Sequence, residues 1–227
     1  MSAAGIVRGR IACLDQERKH WGRERFDLSV GVGSQRVLRT VTEFHDRGVL
    51  RDANWTLSAD WLPLEGFVRD TVHGHTVMHG CFRVDGNAVG CEAWTADAGH
   101  VSKRLEAPGP VEHLGLHSIV ADCLVGAHRG PTQPGVERVV RCVTQSVRDY
   151  GLGDYGLHLV PPLVTFVGRE PVTVQAGRFD ALHFRVRWSD QVPKYSDFWV
   201  RDDYVPLRLL GASGEVSYEL FELEETA

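Results

Sequence analysis

Short stretches in which apolar and polar residues alternate make up most of the chain from residue 36 onward. In the segment NWTLSADW (54–61), the odd-numbered residues are apolar and the even-numbered residues are polar. A period of two is typical of a strand with one dry face and one wet face. The segment VDGNAV (84–89) supplies a turn, because Asp-Gly-Asn tolerates the positive φ angles of tight hairpins. The pattern therefore predicts antiparallel strands that follow one another along the chain.

One segment has a different period. In VEHLGLHSIVADCLVGAHRG (111–130), apolar residues recur at helical spacing, and the segment ends in glycine shortly before Pro131. This spacing predicts one helix at about residues 112–127. His113 and His117 are four residues apart, so they would share a face of that helix.

The organisation follows from these two patterns. Residues 1–35 are charged and weakly patterned, which predicts an irregular or partly helical N-terminal arm. No Gly/Ser-rich linker or internal repeat divides residues 36–227. We therefore expect a mainly β protein: a single-domain antiparallel curved sheet or half-barrel of about ten strands with one central helix.

Composition and charge exclude several functions. The 227 residues carry 25 Lys+Arg against 30 Asp+Glu and a formal charge of -5, which gives no basic surplus to bind nucleic acid. The five cysteines form no CxxC pair, so neither a disulfide framework nor a zinc knuckle is predicted. The sequence shows no secretory signal and no apolar run long enough to span a membrane, so we expect a cytoplasmic protein.

The segment DTVHGHTVMHG (70–80) holds three histidines in seven residues. If residues 67–79 run as one strand, His73, His75 and His79 share a face with Arg69. This face either meets water or lines the inside of the curved sheet. In the second case, His73 and His75 form an acid/base pair, because imidazole titrates near neutral pH, and Arg69 holds a carboxylate or a developing oxyanion.

Other residues complete this hypothetical pocket. Glu92 and Trp94 lie at the same parity of one strand, so both could face one cavity, and Glu92, Asp60 or Asp70 could pair with a histidine. The aromatic residues predicted to bind a substrate are Trp55, Trp94, Tyr195 and Trp199.

A metal site is the alternative use of the histidines. His73, His75 and His79 could reach one transition-metal ion from a single strand face. The array of Gly66, these histidines and Gly86 is similar to the first motif of cupins, with histidine where that motif has glutamate. The second cupin motif is not recognisable in the sequence. Chemistry without a cofactor is therefore the expectation, with a metal as the alternative.

The C-terminal part of the chain resembles a known family. The segments GREPVTVQAGRFDALHFRVRW and YSDFWVRDDYVPLRLLGASGEVSYEL look like the second half of the DUF3108 proteins, in which G-x-E-x-V, AGxFDA, WxxDD and V-P-x-R recur in that order. The resemblance covers residues 165–222. It implies a curved-sheet scaffold like that of the lipoprotein carrier LolA, with a helix in the concave face, and it implies no activity.

These observations lead to three functional hypotheses. The first is a cytosolic enzyme, a lyase, hydratase, isomerase or cyclase, that moves protons on a small hydrophobic or aromatic molecule. The second is a non-catalytic protein that binds or carries a hydrophobic ligand. The third is a metal-dependent enzyme with a cupin-like barrel. A homodimer formed through open sheet edges is compatible with each of them.

Overall fold

The computed structural model describes residues 5–31, 33–188 and 194–226. The protein is mainly β, and its elements are numbered in chain order. The strands are β1 (Gly5–Asp15), β2 (His20–Val30), β3 (Arg36–Phe44), β4 (Val49–Leu57), β5 (Pro63–Val72), β6 (His75–Asp85), β7 (Ala88–Thr95), β8 (Gly99–Glu106), β9 (His113–Gly115), β10 (Glu137–Val139), β11 (Cys142–Thr144), β12 (His158–Val160), β13 (Leu163–Val174), β14 (Gly177–Arg187), β15 (Ser196–Val200), β16 (Pro206–Leu210) and β17 (Val216–Thr226). Two short helices, α1 (Ile119–Cys123) and α2 (Val125–Arg129), lie between β9 and β10. Single 3-10 turns occur at His45–Arg47 and Asp149–Gly151.

One curved antiparallel sheet of 14 strands dominates the described residues. Its order is β10-β13-β14-β15-β16-β17-β1-β2-β3-β4-β5-β6-β7-β8, so nearly every strand pairs with its neighbour in sequence. The first and last strands, β1 and β17, pair in the middle of the sheet. A small second sheet of order β12-β11-β9 holds the central segment of the chain. The predicted fold class is confirmed, but the expected number of about ten strands is too low.

Two of the additional strands come from the predicted N-terminal arm. Residues 5–30 form β1 and β2, which pair with each other and with β17 and β3. The arm prediction is therefore wrong where the structure describes residues 1–35; residues 1–4 and 32 lie outside the described residues. Buried and exposed residues alternate along β2, but the sequence does not show this as an apolar–polar alternation because one of the inward-facing residues is Glu24.

The predicted helix at residues 112–127 is also wrong in its extent. The segment begins as strand β9, turns at His117 with φ of 57°, and only then forms α1 and α2. A left-handed residue cannot continue a right-handed helix, and Ser118 caps α1 by accepting a hydrogen bond from the Ala121 N–H. Residues 111–121 are buried on nearly all sides, so their apolar pattern does not identify one helical face.

The central segment from β9 to α2 packs against one face of the sheet, which we call the inner face. Trp55 is 1% exposed, and its indole N–H donates to the carbonyl oxygen of Leu114 at 2.9 Å. A Cβ on Gly66 would lie 2.7 Å from the Leu114 side chain, so a glycine is required where β5 passes beneath β9. These contacts fix the position of the central segment across the sheet.

Turns predicted from sequence lie where they were expected. The Gly86 and Asn87 pair joins β6 to β7, with φ of 60° at the glycine. The AGxFDA motif forms the turn into β14, and the two aspartates of WxxDD lie between β15 and β16. Among the described residues, no helix has the length and apolarity needed to cross a bilayer.

Candidate functional site

A cleft of about 480 Å³ opens between α1 and the inner face of the sheet, and we call it the inner cleft. The residues that line it come from the ends of β3 and β16, the residue after β14, the starts of β4, β15 and β17, the two 3-10 turns, and the central segment. These residues are Phe44, Arg47, Arg51, His117, Ile119, Asp122, Tyr150, Trp188, Ser196, Leu209, Gly211 and Tyr218. The inner cleft therefore joins distant parts of the chain in one site.

Aromatic rings form one wall of the inner cleft. The Phe44 and Tyr150 rings meet edge to face with centroids 5.3 Å apart. Trp21 supports this wall from behind, stacked on Phe44 at 5.1 Å and edge-on to Tyr218 at 5.9 Å. Such arrangements are favourable for aromatic pairs.

The floor of the inner cleft depends on a buried ion pair. Arg51 and Asp70 are fully buried cross-strand partners, and the Arg51 Nε lies 2.6 Å from the Asp70 Oδ1. The remaining guanidinium nitrogens donate to the backbone carbonyls of His117 and Tyr150, each at 2.8 Å. One side chain thus ties β4 to both loops that border the inner cleft.

The two residues held by Arg51 have unusual backbone conformations. His117 and Tyr150 both have φ of 57°, in the left-handed region that non-glycine residues rarely adopt. Such residues cost free energy and persist where surrounding contacts enforce them, often at functional sites. Here the enforcing contacts are the hydrogen bonds from Arg51.

His117 is neutral in the folded protein. Burial and the nearby Arg51 cation lower its pKa to about 4. Its Nε2 lies 2.9 Å from the Ser146 carbonyl oxygen, which can only accept, so Nε2 carries the proton. The Nδ1 atom is then a hydrogen-bond acceptor.

Two carboxyl groups lie close to α1. Glu24 is fully buried and accepts hydrogen bonds from the Thr42 and Ser118 hydroxyls and from the backbone N–H groups of Ile119 and Val120. Burial raises its pKa, while these donors oppose the shift. For Asp122, burial and the Glu24 carboxylate raise the pKa to about 8, so this carboxyl group is mostly protonated at neutral pH.

Arg47 supplies a cation at the open side of the inner cleft. Its guanidinium carbon lies 3.7 Å from the centroid of the Tyr150 ring, a cation–π contact. Its Nε lies 3.7 Å from a carboxylate oxygen of Asp46, and both side chains are about half exposed. Screening by water makes such a surface pair weak.

The histidines predicted as the acid/base pair do not line the inner cleft. The expected single strand over residues 67–79 is wrong, because β5 ends at Val72 and β6 begins at His75. His73 and Gly74 form the turn between them, both with positive φ, and His73 and His75 are exposed. The prediction that these imidazoles face an enclosed pocket is therefore wrong.

His73 nevertheless lies near the inner cleft as a supporting residue. Its backbone N–H donates to the Gly48 carbonyl oxygen at 2.8 Å, and a Cβ on Gly48 would lie 2.3 Å from its ring. Gly48 closes the 3-10 turn that carries Arg47. The β5–β6 turn thus packs against the turn that positions this cation.

Arg69, His79, Glu92 and Trp94 lie together on the outer face of the sheet. Arg69, His79 and Trp94 are successive cross-strand partners, and the His79 and Trp94 rings stack at 5.8 Å. Glu92 lies two residues before Trp94 on β7. It accepts a hydrogen bond from the Ser102 hydroxyl and contacts His100 at 3.0 Å, and these groups lower the pKa of Glu92. The shared face was predicted, but these residues are exposed to solvent.

The other aromatic residues predicted to bind a substrate lie apart from one another. Trp55 belongs to the core, as described above. Trp199 stacks on His183 with centroids 4.4 Å apart and donates to Glu170 on the outer face. Tyr195 is exposed and donates to Glu137. These three residues and Trp94 therefore form no common pocket.

The metal hypothesis finds no matching arrangement in the part of the chain that the structure describes. No group of three or more His, Cys, Asp or Glu side chains is arranged there to hold an ion. His73 lies in the β5–β6 turn, His75 is the first residue of β6, and His79 projects from the outer face of β6. The cupin-like array is therefore interrupted by a hairpin.

Sequence reasoning missed most of the inner cleft, although one signal was present. In VLRDANW, Arg51 has the parity of the apolar residues Val49, Ala53 and Trp55, which places a charge on a buried face. Asp122 similarly interrupts the apolar run IVADCLV. A charged residue at a core position requires a partner or a function, and both residues prove to border the cleft.

Comparison with known proteins identifies the fold only. No family model matches the chain, and no curated protein matches it. Among solved structures, a β-barrel-like protein of the domain of unknown function DUF1849 from Brucella abortus is similar over 99% of this chain and 98% of its own, with a TM-score of 0.58 and 9% identity.

Two further solved structures are less similar to this chain, with TM-scores below 0.5. A DUF1089 family protein from Pseudomonas aeruginosa shares 8% identity over 87% of both chains, with a TM-score of 0.46. A protein with a YmcC-like fold from Bacteroides fragilis shares 12% identity over 99% of this chain and 96% of its own, with a TM-score of 0.34. The chain thus has the β-barrel-like fold of the DUF1849 protein, and its function must be argued from its own residues.

Proposed function

We propose that the protein binds a small hydrophobic or aromatic molecule in the inner cleft without transforming it. The observation that carries this proposal is the aromatic wall formed by Phe44, Tyr150 and Tyr218, opposite a few polar groups. Ligand sites are typically concave, with mostly apolar walls and a small number of polar groups that orient the ligand.

The rigidity of the site supports binding. Arg51 holds the loops at His117 and Tyr150 from a fully buried position, so the wall and floor are arranged before any ligand arrives. A pre-formed site loses less conformational entropy when it binds.

A second candidate is an enzyme that moves protons on the same kind of molecule. One observation favours it: Asp122 is mostly protonated at neutral pH and lines the inner cleft together with His117, which is neutral. Strongly shifted pKa values in a cleft are a feature of catalytic sites. In either candidate, the exposed His73 and His75 make no contact with the ligand.

A blocking substitution tests the proposed site. Leu209 lines the inner cleft, whereas the next residue, Leu210, points to the other face of β16 and is 36% exposed. We expect Leu209→Trp to fill the cleft and to raise the Kd for the uncharged dye N-phenyl-1-naphthylamine at least tenfold, a loss of about 1.4 kcal/mol. Leu210→Trp should leave the Kd within about twofold. Dye fluorescence gives the Kd, and circular dichroism checks that both variants fold.

Two outcomes would contradict the proposal. If the wild-type protein binds no dye, the inner cleft does not accept an apolar ring. If Leu209→Trp and Leu210→Trp bind the dye equally well, the dye occupies some other part of the surface.

A further inference from the structure

The positively and negatively charged side chains that line the inner cleft do not balance. Six of its described lining side chains can carry a charge: those of Arg47, Arg51, His117 and Asp122 and the phenols of Tyr150 and Tyr218. Burial raises the pKa of Tyr218, so this phenol stays neutral. The balance therefore depends on the two arginines, the histidine and the carboxyl group.

Arg51 is not available to a ligand. Its guanidinium contacts the Asp70 carboxylate and donates to two backbone carbonyls, as described above. Asp70 also accepts from the Gln145 side chain, so this anion is satisfied as well. The pair is electrically neutral and faces the protein interior.

The remaining groups leave one cation at the inner cleft, Arg47, which pairs with the half-exposed Asp46. Glu24 lies behind α1 with its oxygens occupied by four donors. Asp122 and His117 are uncharged near pH 7, since burial raises the pKa of the first and lowers that of the second. Among the lining side chains that the structure describes, Arg47 then presents the charge at the inner cleft, and its guanidinium carbon already lies 3.7 Å from the centroid of the Tyr150 ring.

We propose that the molecule held in the inner cleft carries an anionic group, such as a carboxylate or sulfonate, that binds the Arg47 guanidinium while its apolar rings pack on Phe44 and Tyr150. This inference rests on the proposed function. Arginine is suited to the task because its planar fork donates two parallel hydrogen bonds to such a group. The formal charge of the chain is -5, so the protein as a whole does not attract anions, and binding of an anionic group depends on the local contact with Arg47.

Two dyes that differ by one charged group test the proposal. 8-Anilinonaphthalene-1-sulfonate is N-phenyl-1-naphthylamine with an added sulfonate, and both dyes fluoresce in apolar sites. We expect Arg47→Gln to raise the Kd for the sulfonate dye at least tenfold while changing the Kd for the uncharged dye less than threefold. Arg47→Lys keeps the charge and should retain most of the preference for the sulfonate dye over the uncharged dye. Arg104 is an exposed arginine on the outer face, and Arg104→Gln should change neither Kd.

The outcomes separate this inference from the proposed function. If neither dye binds, or if Leu209→Trp displaces neither, the proposed function fails. If both dyes bind in the inner cleft but Arg47→Gln leaves the ratio of their Kd values unchanged, the anionic ligand is wrong and the apolar binding site stands. Equal losses for both dyes would show that Arg47 acts only by packing on Tyr150, which also overturns the inference.

Discussion

Arg51→Met is expected to lower the free energy of unfolding by about 3 to 5 kcal/mol, measured by urea denaturation at pH 7. The substitution leaves the buried Asp70 carboxylate without its cation. It also removes the donors that hold the carbonyls of His117 and Tyr150, so these left-handed residues lose the contacts that enforce them. The inner cleft should become mobile as well as less stable.

A matched control exists on the neighbouring strand. Arg39 on β3 is exposed on the outer face, and Arg39→Met should change the free energy of unfolding by less than about 0.5 kcal/mol. Adding Asp70→Leu to Arg51→Met should recover part of the loss, because an apolar pair avoids the unpaired charge. If Arg51→Met is no more destabilising than Arg39→Met, the ion pair does not organise the loops.

Acidification from pH 7 to pH 4.5 is expected to lower the free energy of unfolding by about 3 to 5 kcal/mol, the net of a larger loss from three buried histidines and an opposing gain from Asp122, whose pKa of about 8 lets the folded state hold a proton that the unfolded chain lacks. Burial lowers the pKa of His113 to about 4, of His117 to about 4 and of His128 to about 3. The unfolded chain takes up protons at these sites below pH 6.5, whereas the folded protein does not. Stability contributed by the neutral histidines is therefore complete above pH 6.5 and is lost as the pH falls toward 4.

Single histidine variants identify the source of this pH dependence. The Nε2 atom of His113 is buried and has no hydrogen-bond partner among the described residues, so leucine can replace the ring without breaking a bond at that atom. His113→Leu should reduce the slope of stability against pH between 6.5 and 4.5, and the exposed His20→Gln should not. A slope that is the same with and without His113→Leu would show that this buried ring accepts a proton in the folded state.

The strands were predictable wherever one face is apolar throughout. The alternation predicted over residues 54–61 matches the buried Trp55 and Leu57 of β4, but β4 ends at Leu57 and residues 58–62 form a turn; the Gly86 turn was placed correctly. The β5–β6 hairpin was missed for a geometric reason. A two-residue turn preserves a period of two, so polar alternation runs through His73 and Gly74 as though the strand continued.

The inner cleft was not predictable from the same pattern. Glu24, Arg51 and Asp70 occupy inward-facing positions, where the binary pattern calls for apolar residues. The burial of Glu24 and Arg51 depends in part on partners more than 60 residues away, such as the Val120 N–H that donates to Glu24 and the His117 carbonyl oxygen that accepts from Arg51. Local alternation contains no information about such long-range partners, so it assigned the functional role to the exposed histidines instead.

A crystal structure of the protein with N-phenyl-1-naphthylamine bound would test the central claim most directly, which is that the inner cleft is the ligand site. We predict density for the naphthalene ring between α1 and the aromatic wall, in contact with Phe44 and Tyr150. Density for the dye only on the outer face, with its ring stacked on the exposed Trp94, would contradict the claim. The ligand site would then lie on the face of the sheet that carries His79 and Glu92.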